Sequence, residues 1–305
     1  METKKKFSIL ITTKNRIKDL SFTLQKIRYL LDRKDVECLI CDDGSVDETV
    51  IFVKENYPEI YLIQNDVSKG LIFSRNRLMK LVTSEFAISI DDDLHFITQN
   101  PLEIIEEAFH QNSKIGLLGF RIFWNTKEPQ NIVCEEASHR MKSFVGCGHV
   151  WRMNAWRDIP DYPSWFIFYG EEDFASYQLL KKNWEIHYLP DILVNHRVDI
   201  KSRKNNQDYM IRQRRSLRSG WYLYFLFFPI KYIPKKLAYS IWIQLQTKVC
   251  KGDLKALKVI VLSVLDLLMN IPKIVKNSNR LSLKEYSDYQ KLKDTKIYWQ
   301  PKNNI

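Results

Sequence analysis

Strand and helix patterns alternate along roughly residues 1–100, and this predicts an α/β fold: a Rossmann-like, mainly parallel sheet flanked by helices, with a C-terminal helical, basic extension. Three observations carry that expectation. Short continuous apolar runs recur between stretches whose apolar residues fall at helical spacing. Acidic clusters sit where two of the apolar runs end. The last third changes character: residues 201–305 hold 22 basic and 6 acidic residues, whereas residues 1–200 hold 25 and 30.

Phe7–Thr12 reads as the first buried strand, too short for the core of a signal peptide. Leu20, Leu24, Ile27 and Leu31 line one face of a helix over 19–31. Val36–Cys41 is a second buried strand, ending in Asp42-Asp43-Gly44. Ser45-x-x-Glu48 has the spacing of a capping box and predicts a helix from there to about Asn56. A short strand follows at Ile60–Ile63, then an amphipathic helix over Gly70–Val82. Phe86–Ile90 is a fourth strand and runs into Asp91-Asp92-Asp93. Pro101 stands where the first turn of a helix to about His110 would start. Residues 115–170 read as irregular and aromatic-rich, with one strand at Phe144–Met153. Glu171–Lys182 predicts a helix, and His187–Val194 a closing strand broken by Pro190. No repeat or low-complexity segment is evident. The boundaries are therefore 1–200 for an α/β domain, with halves near 1–100 and 101–200, and 201–305 for the basic region.

A hydrophobic content of 45% and a charged content of 27% exclude a disordered or collagen-like chain. Five scattered cysteines argue for a reducing compartment rather than a disulfide framework. Cys38 and Cys41 spell C-x-x-C, but residues three apart on a strand face opposite ways and cannot share a metal. No apolar stretch reaches the ~18 residues of a spanning helix.

In parallel sheets with covered faces, ligands bind beyond the carboxyl ends of the strands. Asp42, Asp43 and Asp91–Asp93 lie at such ends, so two clusters far apart in sequence should meet at one crevice. Adjacent carboxylates repel one another and persist most easily beside a cation. Oxygen ligands favour Mg²⁺ or Mn²⁺, and that cation can neutralise a diphosphate leaving group. Lys69-Gly70 and Ser74 to Arg77 open a helix and suit phosphate, or simply form a solvated basic face. The carboxylates of Tyr169-Gly170-Glu171-Glu172-Asp173 either cap a helix dipole or supply a general base. His196 gains meaning only if its strand end points at the acidic crevice. Among Trp151, Trp156, Trp165, Phe166, Phe168 and Tyr169, core packing competes with stacking on sugar rings; Trp165 and Tyr169 are the ones expected at the surface.

Four blocks in order resemble family 2 of the inverting glycosyltransferases, which have the GT-A fold. They are Phe7 to Arg16, Asp42 to Thr49, Gly70 through Arg75-Asn76-Arg77 to Asp91-Asp92-Asp93, and Gly170-Glu171-Glu172-Asp173 through Pro190 to His196. The likeness spans about residues 7–197. It implies a donor half near 1–100 and an acceptor half near 101–200. Thr12, Asn15 and Arg16 would line the nucleotide pocket, and Asp42 or Asp43 would contact base or ribose. Arg75 and Asn76 would lie near the nucleotide and its phosphates, with Asp91 and Asp92 beside the donor. Asp91, Asp93 and His196 would hold Mg²⁺ or Mn²⁺. Asp173, or Glu172 beside it, would be the base, and Trp165 and Tyr169 would meet the acceptor. Thr13-Lys14 replaces the Thr-Tyr common in the family, which leaves nucleobase contacts open. The implied reaction moves a hexosyl or deoxyhexosyl group from a nucleoside-diphosphate sugar to a glycan or lipid-linked acceptor, as in bacterial polysaccharide and rhamnosyl-type transferases.

The basic region lies outside the resemblance. Arg212, Arg214, Arg215 and Arg218 precede the apolar Trp221–Ile230, and Leu254–Ile274 is a second apolar candidate. Basic residues flanking apolar helices suit an anionic membrane surface, which predicts a cytoplasmic protein peripheral to the inner face of the cell membrane. The rival readings are a nucleic-acid-binding protein, which lacks a recognisable motif here, a catalytically inactive scaffold, and a metal-dependent nucleotidyltransferase.

Overall fold

A computed structural model describes residues 5–198 and 208–301. The first half runs β1 (Phe7–Thr13), α1 (Ile17–Lys26), α2 (Arg28–Leu31), β2 (Val36–Asp42), α3 (Thr49–Asn56), β3 (Tyr61–Gln64), α4 (Leu71–Leu81) and β4 (Phe86–Asp91). It continues through β5 (Leu94–Phe96), α5 (Pro101–Gln111), β6 (Ile115–Trp124), β7 (His139–Arg140), β8 (Gly148–Arg152), α6 (Met153–Arg157), α7 (Glu171–Lys181) and β9 (Glu185–His196). The basic region forms α8 (Tyr209–Phe227), α9 (Ile233–Thr247), α10 (Leu254–Met269), α11 (Ile271–Lys276) and α12 (Leu283–Lys291).

Nine strands form one sheet, in the order β3-β2-β1-β4-β8-β6-β9-β5, with β7 also pairing β9. The first four are parallel, as helical crossovers require. β8 then enters antiparallel between β4 and β6, and β9 pairs parallel to β6. Apolar side chains from the two faces feed two separate cores. Cys38 belongs to one and Cys41 to the other, so the C-x-x-C pair is divided by the sheet.

Several local expectations change. The capping box at Ser45 does not form: the Ser45 hydroxyl accepts from the Asn15 N–H, and α3 starts only at Thr49. The helix expected over 19–31 breaks at Ile27 into α1 and α2. β6 lies in the segment read as irregular, because glycine inside a strand resembles a break. There Gly116 and Gly119 serve close packing: a Cβ on either would come within 2.7 Å of Ala155 or Met141. β9 continues past Pro190, and a register shift opposite Phe120 and Arg121 absorbs residues 190–192. The apolar stretch 254–274 divides at Asn270, just before the Ile271-Pro272 start of α11.

The apolar segment of α8 is core rather than a membrane contact: Trp221, Tyr222, Leu226 and Phe227 are buried against the α/β domain. Two of the arginines before it are also committed within the fold. Arg214 and Arg218 both pair with the buried Asp266 of α10, at 2.5 and 3.3 Å. Arg218 also donates to the carbonyl of Phe166. The chain then returns to the sheet: Lys293 bridges Met141, and Trp299 bridges Phe123 on β6.

Asp266 is the joint between α8 and α10. Burial alone would raise its pKa, but Arg214 and Arg218 outweigh that and hold it below the usual range. Asp266→Asn should cost about 3 kcal/mol at neutral pH, because it leaves two guanidiniums without their buried partner. A depressed carboxyl stabilises above its unfolded pKa and loses that effect as pH falls through the folded one. The deficit of the variant, measured by urea unfolding, should therefore shrink below about pH 4. An equal deficit from pH 7 down to pH 2 would show that the ion pair is not its origin.

Candidate active site

Register fixes the geometry. Thr13 of β1 lies opposite Asp42 of β2, and Thr12 lies opposite Asp91 of β4. Three loops therefore leave the sheet side by side at its carboxyl edge. They open onto a crevice of about 400 Å³ lined by Thr12, Thr13, Lys14, Arg16, Asp43, Asp91, Asp92, Asp93 and His196, with Phe168, Arg212 and Arg215 from later elements.

Each carboxylate of the Asp91–Asp93 turn has a partner, and Asp92 and Asp93 share Arg16. Asp91 meets Arg75 at 3.0 Å. Asp92 accepts from the Thr13 hydroxyl at 2.8 Å and lies 3.1 Å from Arg16. Asp93 takes Arg16 at 2.6 Å and His196 at 2.9 Å. Burial pushes Asp92 up to about 8, with Arg16 opposing and Asp93 reinforcing it. Burial also acts against the charge of Asp93, but His196 and Arg16 prevail and hold it well below the usual range. His196 is pushed up to about 11: burial disfavours its charge, yet Cys147 and Asp93 outweigh that.

These residues fit a hard divalent cation. His196 Nε2 faces Asp93 at 2.9 Å and Asp91 at 3.9 Å, so two carboxylates and an imidazole converge on one point. Donor atoms of Asp91, Cys147 and His196 lie within 4.8 Å of one another. Burial raises the pKa of Cys147, and its soft sulfur is a poor ligand for Mg²⁺ or Mn²⁺. The oxygen donors of Asp91 and Asp93 with the His196 nitrogen suit those ions better. Cys147 lies in the Phe144–Met153 stretch read as a strand, one residue before β8 begins, and nothing in the sequence marked it as a neighbour of the cluster.

The turn at Asp42-Asp43 is turned inward. Asp42 is fully buried and accepts from the Ser45 N–H. Asp43 accepts from Asn65, Ser68, Ser74 and the amides of Lys69 and Gly70, at 2.6–3.0 Å. Burial would raise its pKa, but this set of donors lowers it. Gly44, at φ +73°, lets the turn reach that loop; a Cβ there would meet the Ser68 nitrogen at 2.8 Å. Asn15 bridges the neighbouring turns, accepting from Val46 N–H. Asn76 clamps both backbone groups of Tyr162 and does not line the crevice.

Arg75, expected beside the phosphates, is buried, and its free N–H groups go to Glu171 at 3.0 Å and the Gly146 carbonyl at 2.8 Å. It connects Asp91 to the start of α7. Glu172 shares that corner: a Cβ on Gly146 would lie 2.5 Å from Glu172 Oε1 and 2.8 Å from Arg75. Burial, and then Glu171 beside it, raise the pKa of Glu172 well above the ordinary range. Asp173 leaves in another direction. It hydrogen-bonds Ser143 and lies among Tyr177, Tyr224 and Tyr289. Trp165 is half-buried, its ring tilted against Tyr222 of α8 at 5.1 Å with Lys273 over it. Tyr169 is half-buried and hydrogen-bonds Arg212. The ring on the crevice is Phe168. Arg212 and Arg215, read in sequence as part of a membrane-facing cluster, form its cationic wall; Arg215 has no ion pair among the described residues.

The sequence profile of glycosyl transferase family 2 matches residues 8–169. No curated protein sequence matches significantly. Among solved structures, GalNAc-T7 with UDP, GalNAc and Mn²⁺ superposes with a TM-score of 0.57 at 14% identity, covering 74% of this chain and 49% of that one. The mannosyltransferase PcManGT from Pyrobaculum calidifontis, in complex with GDP-Man and Mn²⁺, gives 0.53 at 13% identity over 94% and 79%. TarS from S. aureus gives 0.52 at 18% identity over 68% and 38%. The chain thus spans about half or less of GalNAc-T7 and TarS.

Asp43→Ala should release the residue 65–74 loop, costing about 3 kcal/mol through several bonds to one carboxylate. Amide exchange at Lys69 and Gly70 should accelerate while β1 keeps its protection. Unchanged exchange at those two amides would assign the loop another anchor.

Proposed function

The chain belongs to glycosyl transferase family 2 and has the GT-A fold, and from that premise we propose an inverting, Mg²⁺- or Mn²⁺-assisted transfer of a hexosyl or deoxyhexosyl group. The donor is a nucleoside-diphosphate sugar, and the acceptor a hydroxyl of a glycan or lipid-linked glycan. The observation that carries this is the meeting of Asp91, Asp93 and His196 with Arg212 and Arg215 around one crevice at the strand ends. A cation site facing two guanidiniums suits a pyrophosphate. Two similar structures hold Mn²⁺, one with UDP and GalNAc, the other with GDP-Man.

Asp91, Asp93 and His196 would hold the cation, which when bound offsets the charge that develops on the departing diphosphate. Thr12 and Arg16 border the donor, and Arg212 and Arg215 face its phosphates. The acceptor oxygen attacks the anomeric carbon as the bond to the diphosphate breaks on the opposite face. Its proton passes to Glu172. We assign the base to Glu172 over Asp173 because Glu172 adjoins Arg75 and Gly146 beside Asp91, whereas Asp173 faces tyrosines of the helical region.

The reading extends to an anionic membrane surface, where lipid-linked acceptors reside. Leu254, Leu257, Val261, Leu265 and Leu268 repeat every three or four residues along α10 and are 44–73% exposed. The exposed Lys255, Lys258, Lys273 and Lys276 accompany them. No helix among the described residues is long and apolar enough to cross a membrane.

The deciding experiment incubates the protein with nucleotide sugars and Mn²⁺ and identifies the nucleotide released. A nucleoside diphosphate is expected, whereas pyrophosphate would indicate a nucleotidyltransferase. Asp93→Ala should lose at least about 100-fold in turnover, and Glu172→Gln should bind donor but lose transfer by about the same factor. Full transfer by Glu172→Gln would return the base role to Asp173. For the surface, co-sedimentation with phosphatidylcholine vesicles containing phosphatidylglycerol should exceed that with pure phosphatidylcholine. Leu265→Glu should reduce it about tenfold; equal recovery from both vesicles would remove the membrane from the account.

A further inference from the structure

The transfer reaction outlined above leaves one neighbour of its cation site idle. Cys147 is buried, and its sulfur, one oxygen of Asp91 and one nitrogen of His196 all lie within 4.8 Å of one another. Three different strands deliver these groups: Asp91 ends β4, Cys147 leads into β8, and His196 ends β9. Backbone ties the first two together, because the Asp91 N–H donates to the Cys147 carbonyl at 3.1 Å. β4 and β8 then continue as an antiparallel pair from Ile90 opposite Gly148. His196 is buried and held in register opposite Trp124 of β6 and Leu94 of β5. Groups carried on paired strands are placed more precisely than groups on loops.

Asp91 divides its two oxygens. Oδ1 takes Arg75 at 3.0 Å, and Oδ2 is turned to His196 Nε2 at 3.9 Å. One carboxylate oxygen therefore remains for an ion shared with the imidazole. Ligand softness decides which ion the thiol adds. A thiolate, an imidazole and a carboxylate are the donors of zinc sites, and three protein ligands with a water form the open kind. Mg²⁺ and Mn²⁺ prefer oxygen and gain little from sulfur, whereas thiolates select zinc, which already stands above manganese in intrinsic affinity. A coordinated thiol gives up its proton to solvent when zinc binds, so a buried Cys147 is no obstacle.

We propose that Asp91, Cys147 and His196 form a zinc site that overlaps the Mg²⁺ or Mn²⁺ site of the transfer reaction. Asp91 and His196 are common to both ligand sets, so zinc held here excludes the ion of the reaction and inhibits transfer reversibly. The inference rests on the reading of Asp91 and His196 as cation ligands, and it adds Cys147 to them.

The test uses the full chain carrying Cys134→Ser and Cys250→Ser, which removes the two cysteines that are not buried. Cobalt(II) serves as a visible stand-in for zinc. It should give tetrahedral d–d bands and a sulfur-to-cobalt charge-transfer band, both lost when zinc is added. X-ray absorption of the zinc complex should show a sulfur at about 2.3 Å. Zinc should displace Mn²⁺, read as the return of the paramagnetic resonance signal of the free ion. Adding Cys147→Ser should abolish the charge-transfer band and weaken zinc binding at least about tenfold. Mn²⁺ affinity should stay within about threefold, which also reports that this variant folds. The inference is overturned if the zinc shell holds no sulfur, if the charge-transfer band survives Cys147→Ser, or if zinc binds without displacing Mn²⁺. The X-ray measurement leaves residue 147 unchanged, so it decides the matter even if Cys147→Ser does not fold. Mn²⁺ binding with a sulfur-free zinc shell ends this inference alone, whereas absence of Mn²⁺ binding, with or without a nucleoside diphosphate, ends the cation reading beneath it.

Discussion

Five carboxylates gathered at one sheet edge would repel each other, and the architecture around them answers that repulsion. Two unit charges 4 Å apart interact by about 4 kcal/mol at a typical protein surface dielectric. Arg16, just before α1, reaches Asp92 and Asp93, while Arg75 of α4 pairs with Asp91. His196 completes the set from β9. Asp43 escapes the problem differently, by spending both oxygens on its own loop. Because the compensating cations come from the floor and sides, the Asp91–Asp93 turn still presents oxygen atoms to the crevice.

Arg75 also couples the two halves of the domain. It contacts Asp91 at the end of β4 and, from the later half, Gly146 and Glu171. Gly146 has no side chain to separate Arg75 from Glu172. The proposed cation site and the proposed base are therefore positioned by one buried guanidinium, so displacement at one should be felt at the other.

The C-terminal region is a third part of the site rather than an appendage. α8 supplies Arg212 and Arg215 to the crevice, while Arg214 and Arg218 anchor the same helix to Asp266. Four arginines close together in sequence thus serve two tasks on two faces of a helix. The terminal segment then returns to β6 and brings Tyr298 close to Trp124. The excess of basic residues in 201–305 becomes partly structural, and Lys255, Lys258, Lys273 and Lys276 of α10 and α11 stand exposed.

Much of this was legible in one dimension. Apolar runs at Phe7–Thr12, Val36–Cys41 and Phe86–Ile90 announced parallel strands, because a strand buried on both faces must be continuously apolar. Strand polarity alone then brought Asp42–Asp43 and Asp91–Asp93 to a common edge. β6 was hidden because Gly116 and Gly119 mimic a break, and only packing against Ala155 and Met141 explains them. Side-chain direction was decided by tertiary contacts: Asp43 and Asn76 turn inward because partners there saturate them. Spacing along the chain determined which residues could share an edge. Which charges face the crevice, which are paired beneath it, and which rings remain open depended on neighbours distant in sequence.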